Sequence, residues 1–178
     1  LGKHAVIYFY LSCGICAYCR SGREILCTRL KGQIGFNRDG GYAEYVKTPA
    51  DSLFLIPPDL AFEKAAIIAD AIATPYRAIT AKAKIQPGQT IAVMGAGGLG
   101  LHAVQIARAL GATVFAMDIN EKALTLAERV GAEKAFLVTK EDPLKEILEL
   151  TGGEGFDVVM DFVGKPSMEF LGLDLLKV

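Results

Sequence analysis

Six residues constrain the fold of this chain more than any others. Gly95-Ala96-Gly97-Gly98-Leu99-Gly100 follows an apolar, strand-like run at 90–94 and opens a helical stretch. A GxGxxG pattern alone is common, but between a strand and a helix it has a mechanical reading. Gly95 permits the tight turn, Gly97 lets backbone approach a diphosphate, and Gly100 lets the helix pack closely on the strand. The phosphates would then meet unpaired N–H groups at the positive end of the helix dipole. The same glycines can instead serve helix–strand packing alone, or receive another nucleotide-containing ligand.

The rhythm around this turn is that of a parallel sheet. Strands are predicted at 90–94, 113–117, 134–138 and 156–161, with helices at 99–110 and 121–130 and a third capped by Asp142 with Pro143 at its first position. Connections of that length cannot be hairpins, so the four strands should lie parallel, linked by three crossover helices. A further helix is predicted from Pro166 to the end. The expected class is therefore α/β, a Rossmann-type doubly wound parallel sheet. The 156–161 strand should stand at an apolar edge.

The strand at 113–117 runs into Asp118, about where an acceptor for an adenine ribose should lie. A carboxylate there accepts hydrogen bonds from ribose hydroxyls and repels a 2′-phosphate. No arginine follows directly, since the chain continues Ile119-Asn-Glu-Lys122. That pattern favours NAD over NADP. The alternative role for Asp118 is a surface acid capping the helix that begins at Glu121.

Residues 1–60 read differently, as the β-rich end of another domain, with 61–178 forming the nucleotide-binding part. Strands are expected at 5–11, in the alternating segment at 42–46 after Gly40-Gly41, and at 53–56 before Pro57-Pro58. Alanine and isoleucine at helical spacing fill 61–84, where Pro75 should divide two helices.

All four cysteines of the chain, Cys13, Cys16, Cys19 and Cys27, fall in the first of these regions. Two-residue gaps turn successive sulfurs toward one point, and the longer gap lets a loop return to close the shell. Four thiolates make a closed tetrahedron around Zn²⁺ with no position open to substrate, so such a zinc would be structural. An iron–sulfur run fits the first three cysteines but not the fourth. Two disulfides would require an oxidising compartment. A nucleic-acid-binding zinc ribbon is the rival function, but Arg20, Arg23, Arg29 and Lys31 make only a thin basic flank.

Charge and hydropathy exclude other classes. Nineteen Lys and Arg against twenty Asp and Glu leave a formal charge of −1, with 52% hydrophobic residues. No basic run marks a nucleic-acid surface, and no apolar stretch reaches the roughly 20 residues that span a bilayer. We expect a cytoplasmic protein with neither a nucleic-acid nor a membrane partner. The chain begins at Leu1 and its first methionine is Met94, so we expect it to be a truncated piece of a longer protein.

These elements, in this order, resemble the zinc-dependent medium-chain alcohol dehydrogenases. The four-cysteine lobe, Gly40–Val46 (GGYAEYV), the helix pair, GAGGLG and Asp118 carry the resemblance, from about Cys13 to Gly164. It implies hydride transfer between an alcohol and NAD, a small alcohol or carbonyl substrate, and a homo-oligomeric parent. It implies that Leu99, Ile119 and Lys122 lie around the cofactor with the glycines and Asp118. It also places Thr74, Phe162 and Val163 near the nicotinamide, although each alone is equally a packing residue. A catalytic zinc in this family takes a cysteine and a histidine from an earlier segment, expected upstream of Leu1. Asp70 matches the third ligand, which is commonly cysteine; it can equally cap the helix containing Tyr76. His4 and His102 are expected to be structural or exposed. With at most one ligand for the catalytic zinc, this chain alone should turn over no alcohol.

Overall fold

Alternation of apolar side chains along Thr90–Met94 decides the architecture of the larger part of the chain. The computed structural model describes residues 2–138 and 144–177. It divides into two compact units, Leu1–Ala69 and Asp70–Val178.

The first unit is built from short ladders. β1 (Ala5–Ile7) and β2 (Tyr10–Leu11) continue one extended run that changes partner midway. Between them Tyr8 donates its N–H to Ser52 O, while Phe9 O accepts from Ile34 N–H. β2 pairs antiparallel with β3 (Gly32–Gln33), and β1 with β4 (Leu53–Leu55), Val6 opposite Phe54. The expected strand at 5–11 is thus split between two sheets. The chain at 42–46 forms bends instead of the expected strand, leaving Tyr42 and Tyr45 exposed. Alternation gives a segment strand propensity, but no described backbone pairs with this one. α1 (Ala17–Arg20) lies in the cysteine loop. α2 (Phe62–Ala65) closes the unit.

A wide turn of π type over Ile68–Ile72 leads into α3 (Ala73–Arg77), and a second follows over Ala78–Ala83. Pro75 is buried inside α3 and does not divide two helices. In the first turn of a helix its missing N–H leaves no bond unmade, and the wide turn ahead of it relieves the clash of its ring.

The second unit holds the parallel sheet. β5 (Thr90–Met94), β6 (Thr113–Asp118), β7 (Lys134–Leu137) and β8 (Val158–Asp161) are ordered β7-β6-β5-β8, all parallel. α4 (Gly98–Ala109), α5 (Glu121–Arg129) and α6 (Leu144–Glu149) are the crossovers, and α7 (Pro166–Asp174) follows β8. The expected cap of α6 at Asp142 and Pro143 lies outside the described residues. α7 stops short of the predicted end because Leu175–Lys177 turn to bond Phe156, whose N–H donates to Leu175 O and whose O accepts from Lys177 N–H.

Strand periodicity sorts the core onto two faces. Ile91 and Val93 pack with Ala103, Val104, Ala107 and Ala127, on the side of α4 and α5. Ala92 and Met94 pack with Phe115, Met117, Ile147, Phe156 and Leu175, on the other side. Helices therefore cover both faces, as a doubly wound sheet requires. The chain winds outward from β5 to β7, then returns past its start to β8. The order reverses between β5 and β8, and the C-terminal ends of strands at such a reversal are the usual place for a ligand in these sheets. None of the described helices is long and apolar enough to cross a membrane.

At the opposite end of the sheet, Asp157 accepts the Thr90 N–H at 2.7 Å and pairs with Lys177 at 3.2 Å. The Thr90 N–H first, and Lys177 second, hold this carboxyl below the usual aspartate range. A lowered folded value stabilises the fold fully above the unfolded value of about 3.9, and the gain fades as pH falls through the folded value. Asp157→Asn should cost about 1 kcal/mol in urea denaturation at neutral pH, and the difference from the unaltered chain should shrink on acidification below about pH 4.

Candidate functional site: a glycine crevice and a thiol cluster

The glycine turn begins where β5 ends. Gly95 adopts φ +90°, a left-handed conformation that β-carbon-bearing residues rarely take, and donates its N–H to Met117 O at 2.7 Å. A Cβ on Gly95 would stand 2.9 Å from Val163 Cγ2, and one on Gly100 would collide with the Gly95 carbonyl oxygen. These two glycines let helix, strand and loop close on one another. Gly97 and Gly98 differ: both are exposed, and a Cβ on either would meet nothing within 4 Å. Open space lies above them at the start of α4, whose N-terminus has no side-chain cap. The cradle suits a diphosphate, which would meet uncapped N–H groups there.

Asp118, half-buried at the end of β6, is tied into this turn. Its Oδ2 accepts the Ala96 N–H at 2.6 Å and its Oδ1 accepts the Asn120 N–H at 2.9 Å. A carboxylate offers about four lone-pair sites, so acceptor capacity remains for hydroxyl donors. It does not cap α5. Asn120 does, with Oδ1 accepting from Lys122 N–H at 2.9 Å and Ala123 N–H at 3.4 Å. An amide side chain just before a helix is a familiar cap signal, and here it frees Asp118 from that duty. Ile119 is 78% exposed beside it, and Lys122 is exposed in the first turn of α5.

The third wall comes from the loop after β8. Phe162 donates its N–H to Met94 O at 2.9 Å, bringing Phe162 and Val163 against Gly95. The ends of β5, β6 and β8 thus gather the glycines, Leu99, Asp118, Ile119, Phe162 and Val163 at one crevice. Asp161, which braces this last loop, carries no motif; only an aspartate two residues before Val163-Gly164 hints at it.

Asp70 and Thr74 are joined to each other instead. Thr74 Oγ1 donates to Asp70 Oδ1 at 2.8 Å, with both residues exposed. Asp70 therefore sits inside the wide turn at Ile68–Ile72 and caps no helix. Among the described residues, Asp70 belongs to no group of three or more potential metal ligands. His102 Nδ1 lies 2.7 Å from Gly98 O, while the His4 ring packs on Phe62; both are structural placements.

The four cysteine sulfurs all lie within 4.8 Å of one another. Cys16 to Cys19 is 3.4 Å, Cys13 to Cys19 is 3.9 Å and Cys16 to Cys27 is 4.0 Å. A tetrahedron with zinc–sulfur bonds of about 2.3 Å has edges of about 3.8 Å, so the cluster has the dimensions the ion needs. Backbone amides prepare it: Cys16 N–H donates to Cys13 Sγ and Cys13 N–H to Cys27 Sγ, both at 3.3 Å. Without metal the thiols are uneven. The Cys19 backbone N–H holds Cys16 down to about 6, whereas burial pushes Cys19 up to about 11. Four adjacent thiols cannot all ionise unless a cation balances them, and a divalent ion does so.

Comparison with known proteins agrees with this geometry. Residues 98–177 match the zinc-binding dehydrogenase family and residues 1–58 the alcohol dehydrogenase GroES-like domain. The chain is 41% identical over 152 residues to an alcohol dehydrogenase of Geobacillus stearothermophilus, covering 85% of this chain and 44% of that one. It is 42% identical over 150 residues to an NAD-dependent alcohol dehydrogenase of Sulfurisphaera tokodaii, covering 83% and 43%. It thus spans less than half the length of these curated relatives. The alcohol dehydrogenase of Aeropyrum pernix superposes with a TM-score of 0.89 at 39% identity, over 99% of this chain and 52% of that one. With a glycine turn and a four-cysteine lobe in one sequence, the chain belongs to the zinc-dependent medium-chain alcohol dehydrogenase family.

Proposed function

We propose that this chain carries the dinucleotide-binding part of an NAD-dependent alcohol dehydrogenase, which moves a hydride between an alcohol or its carbonyl product and the nicotinamide. The observation that carries the reading is the open space over Gly97 and Gly98 at the uncapped start of α4, with Asp118 tied to the same turn. The N–H groups at the start of α4 hold the diphosphate. The remaining lone pairs of Asp118 accept the adenosine ribose hydroxyls, and its charge disfavours a 2′-phosphate. Phe162 and Val163 wall the far end. NAD, when bound, supplies the hydride acceptor.

The thiol cluster is read as a structural zinc site that orders a loop with little core of its own. Asp70, matched to a catalytic-zinc ligand, joins no group of three or more potential ligands among the described residues, so no step is assigned to a metal there. Four free thiols fit a reducing compartment, and we place the protein in the cytoplasm.

Titration of the chain with NADH, followed by fluorescence, should show saturable binding that weakens about tenfold or more in Asp118→Ala, with NADPH bound more weakly than NADH. Unchanged affinity in that variant would overturn the adenosine assignment. Metal analysis should return about one zinc per chain. Cys16→Ser should release the zinc to a chelator and lower the melting temperature, and acidification should release it from the unaltered chain because the ligands must be thiolates.

A further inference from the structure

Asp161 lies at the C-terminal end of β8 and belongs to no motif. Its carboxylate nevertheless holds the loop that borders the glycine turn. Oδ1 accepts from Val163 N–H at 2.7 Å and from Gly164 N–H at 3.2 Å, and Oδ2 lies 3.3 Å from the same Gly164 nitrogen. One exposed side chain thus ties two successive amides. It fixes the backbone that carries Phe162 and Val163. That loop closes on the glycine turn, with Val163 Cγ2 2.9 Å from where a Cβ on Gly95 would stand, and Gly164 holds φ +69°.

The strand order states which part of a ligand meets this loop. Asp118 ends β6, the glycine turn leaves β5, and Asp161 ends β8, in that spatial sequence. Neighbouring strands stand about 4.8 Å apart, so the three ends span about 10 Å, well within the reach of an extended dinucleotide. A ligand with its adenosine at Asp118 and its diphosphate over Gly97 can extend only toward β8. The loop at 162–164 therefore faces the half of the dinucleotide distal to adenosine.

We propose that Asp161 is a positioning residue for the nicotinamide half of the cofactor: it holds the Phe162–Gly164 backbone in the form that receives that half. The proposal rests on the dinucleotide reading above and adds a residue that acts without touching the ligand. Since Asp161 ends β8, two strands over from Asp118 at the end of β6, its removal should leave adenosine diphosphate binding intact. Asparagine keeps a carbonyl oxygen for the Val163 N–H, whereas alanine keeps no acceptor.

The test compares NADH with ADP-ribose, which lacks the nicotinamide, on the unaltered chain, Asp161→Ala and Asp161→Asn. Asp161→Ala should weaken NADH about tenfold while ADP-ribose stays within about twofold, and Asp161→Asn should recover most of the loss. Gly164→Ala, which strains the same loop from the backbone, should repeat the selective loss. Equal weakening of both ligands, or no weakening in Asp161→Ala, overturns the proposal and leaves the dinucleotide reading in place. Failure of both ligands to bind the unaltered chain removes the dinucleotide reading and this proposal with it.

Discussion

The approach of α4 to the end of β5 organises the larger unit. It is possible only because position 100 has no Cβ, since any side chain there would run into the Gly95 carbonyl oxygen. The small residues Ala103 and Ala107 continue the close contact along the helix, against Ile91 and Val93. The tight seat also aims the free N–H groups of the first helical turn out over Gly97 and Gly98. Packing and ligand chemistry are therefore set by the same pair of missing methyl groups.

Both units solve a similar electrostatic problem. In each, sulfur or carboxylate oxygen atoms at the candidate site accept from backbone N–H groups. Cys13 and Cys27 sulfurs accept amides within their loop, as Asp118 and Asp161 oxygens do at the sheet ends. Backbone donors are fixed by the fold, so they cost less ordering than a lysine would.

The periodic parts of the chain could be read from residues alone. The four parallel strands and their crossovers follow from short apolar runs spaced by helical stretches, and the cysteine spacing foretells the clustered sulfurs. Two of the failures share one cause, which is that pairing is not written in a segment's own sequence. The run at 42–46 has strand propensity but finds no described partner. The 5–11 run finds two partners and breaks between them. Pro75 looked like a helix boundary because the wide turn that accommodates it has no periodic signature. Asp161 was missed because its role lies in two backbone amides nearby, which no motif encodes.

Asp118 reaches its place already bound on both oxygens, to Ala96 and to Asn120. Its rotamer is settled when the chain folds, not when a ligand arrives. A sugar bound there as proposed would find a preorganised acceptor and forfeit no affinity to freezing that side chain. Because the same carboxylate also shapes the turn beneath the phosphates, the two halves of an adenosine diphosphate would not contribute independently. Perturbing one contact would register in the other, and their binding energies would be non-additive by construction.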